Sequence, residues 1–161
     1  MALDLIAEFE AVIGALRSAG FEYALCGGLA VAVHGHVRAT KDIDLLVRPE
    51  DVPPIIALAR TLGFDIPARR MVFRAGKSDE HVMQRVSKLD PETNDLLSLD
   101  LLVVGPFYES SWNSRISLPW KGGELSIVSR AGLATMKRQA GRPQDLADVA
   151  ALEQTDDETE V

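Results

Sequence analysis

Apolar residues Leu3, Ile6, Phe9, Val12, Ile13 and Leu16 recur at intervals of one, three and four. That spacing lines one face of a helix, so an amphipathic helix is predicted over residues 3–18, ended by Gly20. The run "FEYALCG" reads as a buried strand stopped by Gly27 and Gly28. "LAVAVHGH" is Ala-rich and predicts a short helix starting at those glycines. "DIDLLV" predicts a strand closed by Pro49. "PEDVPPIIALARTLGF" predicts a helix whose prolines fall in its first turns, where a missing N–H costs least.

Farther on, "MVFRAG", "HVMQRVSKLD" and "LLSLDLLVVG" alternate or run apolar as strands do, with "PETND" the turn between the last two. "PFYESSWNSRISLPWKGGE" reads as loop with a short edge strand, and "LSIVS" as a last short strand. Ser129 suits the N-cap of a helix over 130–139. Gly141 breaks that helix and Pro143 restarts a final one. This order implies an α/β (α+β) fold: a mixed β-sheet with flanking helices, in one domain over residues 1–154, with the two C-terminal helices (130–154) packed on it. Residues 155–161, "TDDETEV", read as an acidic disordered tail.

Composition narrows the class. The chain has 161 residues, 47% of them hydrophobic and 6% aromatic, enough for one core built of aliphatic side chains. Cys26 is the single cysteine, which excludes an internal disulfide and fits a reducing, cytoplasmic setting. No apolar run approaches the ~20 residues of a membrane span. Asp4, Glu8 and Glu10 interrupt the N-terminal apolar residues, unlike a signal peptide. The net charge is −7, with four of the acids in the tail, so no overall basic footprint for nucleic acid exists. Basic residues do concentrate locally, at Arg60, Arg69, Arg70, Arg74, Lys77, Arg85 and Lys88. They read as a solvated, charged hairpin, the alternative being a surface for an anionic substrate.

The chemistry lies where polar residues interrupt strands. Asp42 and Asp44 alternate with Ile43 and Leu45, so both carboxylates face one way and the apolar pair faces the core. Two close carboxylates repel unless a cation lies between them. Mg²⁺ takes such oxygen ligands together with substrate phosphates. Asp100 interrupts "LSLDLLVV" in the same manner. If that strand lies beside the first, three carboxylates converge, a layout that holds two Mg²⁺ ions for phosphoryl or nucleotidyl transfer. Gly27 and Gly28, between a strand and a helix, offer bare backbone N–H groups to phosphate.

The string "GGLAVAVHGHVRATKDIDLLV" resembles the nucleotidyltransferase fold of the DNA polymerase beta superfamily, and its small prokaryotic AbiEii-like toxin members in particular. "LATMKRQAGRPQDLADVAAL" looks like the same proteins, with a lysine in one helix and Asp-Leu-x-Asp after it. The resemblance covers roughly residues 20–152. It implies that Asp42 and Asp44 bind both metal ions and that Asp100 binds the ion at the attacking hydroxyl and takes its proton. It implies that Gly27 and Gly28 hold the β- and γ-phosphates of an NTP, with Arg38, Thr40 and Lys137 as further nucleotide contacts. The implied reaction moves an NMP to a hydroxyl of an acceptor (RNA, protein or a small molecule such as an aminoglycoside), and a cognate antitoxin is an implied partner. The family commonly has Gly-Ser or Gly-Gly here, so Gly27-Gly28 fits the resemblance but lacks a serine hydroxyl for phosphate.

Other readings stand beside this one. Arg38 also fits a surface ion pair, and Lys137 an exposed helix lysine. His34 and His36 point to different sides of a helix and are poorly spaced to share a metal, so His34 is expected to be structural. Arg142, Asp145 and Asp148 suggest a salt-bridge set, and Cys26 a small buried residue. The whole chain also fits a nucleotide- and metal-binding module without catalysis, acting as an antitoxin or regulatory partner. A metal-dependent phosphohydrolase would use the same carboxylates but leaves the glycine pair unexplained.

Overall fold

The computed structural model describes residues 3–37 and 40–159, apart from the side chains of 155–159. The chain opens with α1 (Leu5–Ala19), capped by the Asp4 side chain, which accepts from the N–H groups of Ile6 and Ala7, and closed by left-handed Gly20. β1 (Ala24–Cys26) leads directly into α2 (Gly27–Val33), and β2 (Asp42–Val47) follows. A 3-10 turn (Pro49–Asp51) precedes α3 (Val52–Thr61). Next come β3 (Ile66–Phe73), β4 (His81–Leu89) and β5 (Leu96–Val103). α4 (Glu109–Asn113), β6 (Ile116–Trp120), β7 (Gly123–Ile127), α5 (Arg130–Ala140) and α6 (Pro143–Thr159) complete it.

The seven strands form one sheet in the order β3-β4-β5-β2-β1-β7-β6. β2 runs parallel to β5, and β1 to β7, while the other neighbours are antiparallel. The mixed α/β architecture expected from the sequence is therefore present. Ile43, Leu45, Leu99, Leu101 and Val86 are buried on one face, which α1 and α3 cover with Phe9, Val12, Ile13, Leu16 and Ile55. Strand alternation sends Asp42, Asp44 and Asp100 to the opposite face, beside α2 and α5.

Several boundaries differ from the sequence reading. β1 is only three residues long, because Phe21 and Glu22 lie outside the ladder. β3 begins at Ile66, five residues before the expected strand, since pairing with β4 recruits a stretch with little apolar pattern. The segment expected to be loop contains α4, anchored by buried Trp112, against which the Arg115 guanidinium stacks at 3.7 Å. α6 continues to Thr159, so the helix extends past Gln154, where an unstructured tail was expected to begin. Among the described residues, no helix is long and apolar enough to cross a membrane.

A buried ion cluster joins the last two helices. Lys137 is 7% exposed, with its ammonium 3.4 Å from Asp145 and 3.1 Å from Asp148. Arg142 donates to Asp145 at 2.7 Å, and Gln144 to Asp148 at 3.0 Å. Burial pushes the Asp145 carboxyl up, but the Arg142 hydrogen bond and the Lys137 and Arg142 charges outweigh it, leaving Asp145 below the usual carboxylate range. The salt-bridge set expected at the start of this helix is thus extended by Lys137. Removing one member of a buried ion pair strands the other. Asp148→Ala is accordingly expected to cost about 3 kcal/mol, read as a lower urea midpoint at unchanged slope.

Candidate active site

The site is assembled by strand register. Asp44 is directly opposite Asp100 in the parallel β2–β5 pair. Cys26 is opposite Asp44 on β1, and Arg85 is opposite Asp100 on β4. One rung of the sheet therefore reads Cys26, Asp44, Asp100, Arg85 across four strands. On the adjacent rung, Asp42 stands opposite Ser98, which stands opposite Ser87. The two serine hydroxyls meet at 3.2 Å, confirming that these positions share a face.

Asp100 is only 3% exposed. Its carboxylate accepts two hydrogen bonds from Arg85, from Nε at 2.7 Å and from an η nitrogen at 3.0 Å. This forked pairing is the strongest geometry open to a carboxylate and a guanidinium. It answers the cost of burying Asp100, and it shows that Arg85 is not part of a merely solvated hairpin. The hairpin itself held the clue. With Leu89 closing against Leu96 around "PETND", counting back along both strands pairs Arg85 with Asp100.

Asp44 has a strongly perturbed environment. Burial, the charges of Asp100 and Asp42 and a hydrogen bond with Asp100 push its carboxyl up to about 8, with Lys137 pulling the other way. Burial and the Asp100 charge also raise Asp42, opposed by Arg85. Burial, followed by Asp44, holds the Cys26 thiol well above its usual range, so it is a protonated packing residue. Tyr108 is buried near the same group: burial and then the charges of Cys26 and Asp44 raise its phenol.

Gly27 explains the bare backbone beside Asp44. It has φ +68°, and a Cβ there would overlap the Asp44 carboxylate. Only glycine tolerates both conditions without strain. Gly28 follows as a buried residue in the first turn of α2. Thr40 is half-buried in the segment leading into β2, and Arg38 lies outside the described residues. Lys137 is committed to Asp145 and Asp148, yet close enough to Asp44 to act on its protonation. His34 is buried, with its Nε2 2.9 Å from the Val128 carbonyl oxygen, the structural role expected of it. His81 is stacked between Phe73 and Phe107, at 5.1 and 4.1 Å, a contact with no signal in the sequence.

The donor set suits a hard divalent cation: carboxylate oxygens whose mutual repulsion drives one of them to hold a proton. Among the described residues, however, no three His, Cys, Asp or Glu side chains are already gathered in ligand geometry. Asp100 is turned to Arg85 instead.

No family model matches the chain, and a search of curated proteins finds no match. Solved structures do match. The lincosamide antibiotic adenylyltransferase LnuA, bound to lincomycin, aligns over 96% of this chain and 99% of its own at 13% identity and a TM-score of 0.65. The chain has the nucleotidyltransferase fold. ANT(2")-Ia, in complex with adenylyl-2"-tobramycin, aligns over 94% of this chain and 92% of its own at 13% identity and a TM-score of 0.57. TM1012 of Thermotoga maritima, itself proposed to be a nucleotidyltransferase, covers 90% of this chain and 89% of its own at 10% identity and a TM-score of 0.60.

Two outcomes test this geometry. Gly27→Ala is expected to destabilise the protein by about 2 kcal/mol or more through backbone strain and overlap with Asp44, measured by thermal or urea unfolding. The second concerns pH. The folded Asp44 carboxyl holds its proton to about 8, whereas its ordinary value is 3.8. Through that window the folded state binds more protons than the unfolded state, so metal-free stability is expected to fall as pH rises from about 4 to about 8. Asp44→Asn is expected to flatten that slope in urea titrations with chelator present.

Proposed function

We propose that this protein is a divalent-metal-dependent nucleotidyltransferase that moves an NMP from an NTP to a hydroxyl of a small-molecule acceptor. The observation that carries the reading is the rung placing Asp44 beside Asp100, with Asp42 one step along and the Gly27 backbone against Asp44. Asp42, Asp44 and Asp100 would hold Mg²⁺, two ions in the fullest form. When bound, the ions supply charge neutralisation for the triphosphate and for the carboxylates.

The chain's own residues have distinct tasks. The Gly27–Gly28 backbone receives the β- and γ-phosphates, where a side chain would block their approach. Thr40, in the segment before β2, and Arg38, on the motif resemblance, would be further nucleotide contacts. Lys137 acts on the site electrostatically, through Asp44, rather than by direct contact with phosphate. Asp100 takes the proton of the attacking hydroxyl. The acceptor hydroxyl's oxygen bonds to the α-phosphorus, the bond to the β-phosphate oxygen breaks, and pyrophosphate leaves. Catalysis on this scheme is positioning and electrostatic stabilisation.

Two of the similar structures carry an antibiotic or an adenylylated antibiotic, which favours a small acceptor over RNA or protein. A toxin–antitoxin role rests on the motif resemblance alone. Isothermal titration of the four NTPs with Mg²⁺ tests the reading. Wild type is expected to bind at least one NTP in a metal-dependent manner, and Asp42→Asn/Asp44→Asn is expected to lose at least about tenfold in affinity. Equal binding by the double variant would rule the site out.

A further inference from the structure

Arg85 stands on the site rung but outside the scheme above. Its guanidinium engages both oxygens of Asp100, and Asp100 stands directly opposite Asp44 on the neighbouring strand. The positive charge therefore sits against one of the oxygen donors a divalent ion would need. The neighbouring edge strand is shaped around it. On β3, Pro67 pairs with Val86 and Arg70 with Gln84, so two residues, Ala68 and Arg69, stand opposite Arg85 alone. Such a bulge bends the strand and interrupts the ladder, and bulges commonly adjoin active sites. The Arg85 side chain is 38% exposed, while its partner Asp100 is 4% exposed. The guanidinium thus has an open path to solvent and the carboxylate does not.

We propose that Arg85 is a built-in competitor for the metal site: it occupies Asp100 in the ion-free protein, and metal loading displaces it toward the β3 bulge. The inference rests on the reading of Asp42, Asp44 and Asp100 as metal ligands. Asp100 then has two alternative cationic partners, and the ion concentration at which the site fills is set by the strength of the Arg85 fork. A guanidinium within a few ångströms of a divalent ion also repels it directly. A purely structural clamp acts in the opposite direction, since loosening Asp100 would weaken metal binding.

Mn²⁺ binding, measured by calorimetry and by electron paramagnetic resonance of the free ion, separates these cases without any acceptor. Arg85→Gln and Arg85→Met are expected to bind Mn²⁺ at least about tenfold more tightly than wild type. Arg85→Lys keeps the charge and is expected to remain within about threefold of wild type. Circular dichroism and thermal melts accompany each variant, and the neutral pair guards against one of them misfolding. Unchanged or weaker Mn²⁺ binding in the folded neutral variants overturns the proposal. If wild type binds Mn²⁺ through Asp42 and Asp44 in that case, the nucleotidyltransferase reading survives. If neither wild type nor the neutral variants bind Mn²⁺, both fall.

Discussion

Two carboxylates are held side by side by a parallel strand pair, and much of the surrounding structure answers that one constraint. Asp44 and Asp100 cannot separate without breaking the β2–β5 register, which is continuous from Asp42–Ser98 to Val47–Val103. Their neighbours at Ile43, Leu45, Leu99 and Leu101 are fully buried on the opposite face, so a one-residue slip would turn an apolar row out of the α1–α3 core and drive the carboxylates into it. The hydrophobic pattern therefore enforces the electrostatic conflict. It is relieved in three ways: a raised Asp44, a shared hydrogen bond with Asp100, and the Arg85 fork.

The rest of the site is arranged around the same point. Gly27 has no side chain where the Asp44 carboxylate sits, and its left-handed backbone turns the chain from β1 into α2. Cys26 fills the rung's far end as a small buried group. α5 brings the Lys137 charge toward Asp44, but the Asp145–Asp148 pair on α6 anchors it, so a cation stays near the site without closing it. The negative charge of the carboxylates at this point is preorganised and only partly neutralised.

Much of this was legible in the sequence. Alternation around Asp42, Asp44 and Asp100 gave the strands and the shared face, and the paired glycines marked the turn beside them. The adjacency of β2 and β5 was not legible, because a crossover of some fifty residues with two strands of its own separates them and no local pattern fixes such a pairing. Arg85 was missed because charge runs are usually solvated, whereas its role depends on hairpin register. The burial of Lys137 was missed as well: its partners lie eight and eleven residues on, across the Gly141 break, at a distance helical periodicity does not reach. α4 and the first five residues of β3 carry too little apolar pattern to be recognised without their neighbours.

A crystal grown with Mn²⁺ and a non-hydrolysable ATP analogue, examined by anomalous scattering, tests the central claim most directly. The expected result is Mn²⁺ density against Asp42 and Asp44, with the triphosphate on the Gly27–Gly28 backbone. Analogue or ion bound elsewhere, with Asp42, Asp44 and Asp100 free of Mn²⁺, would contradict it.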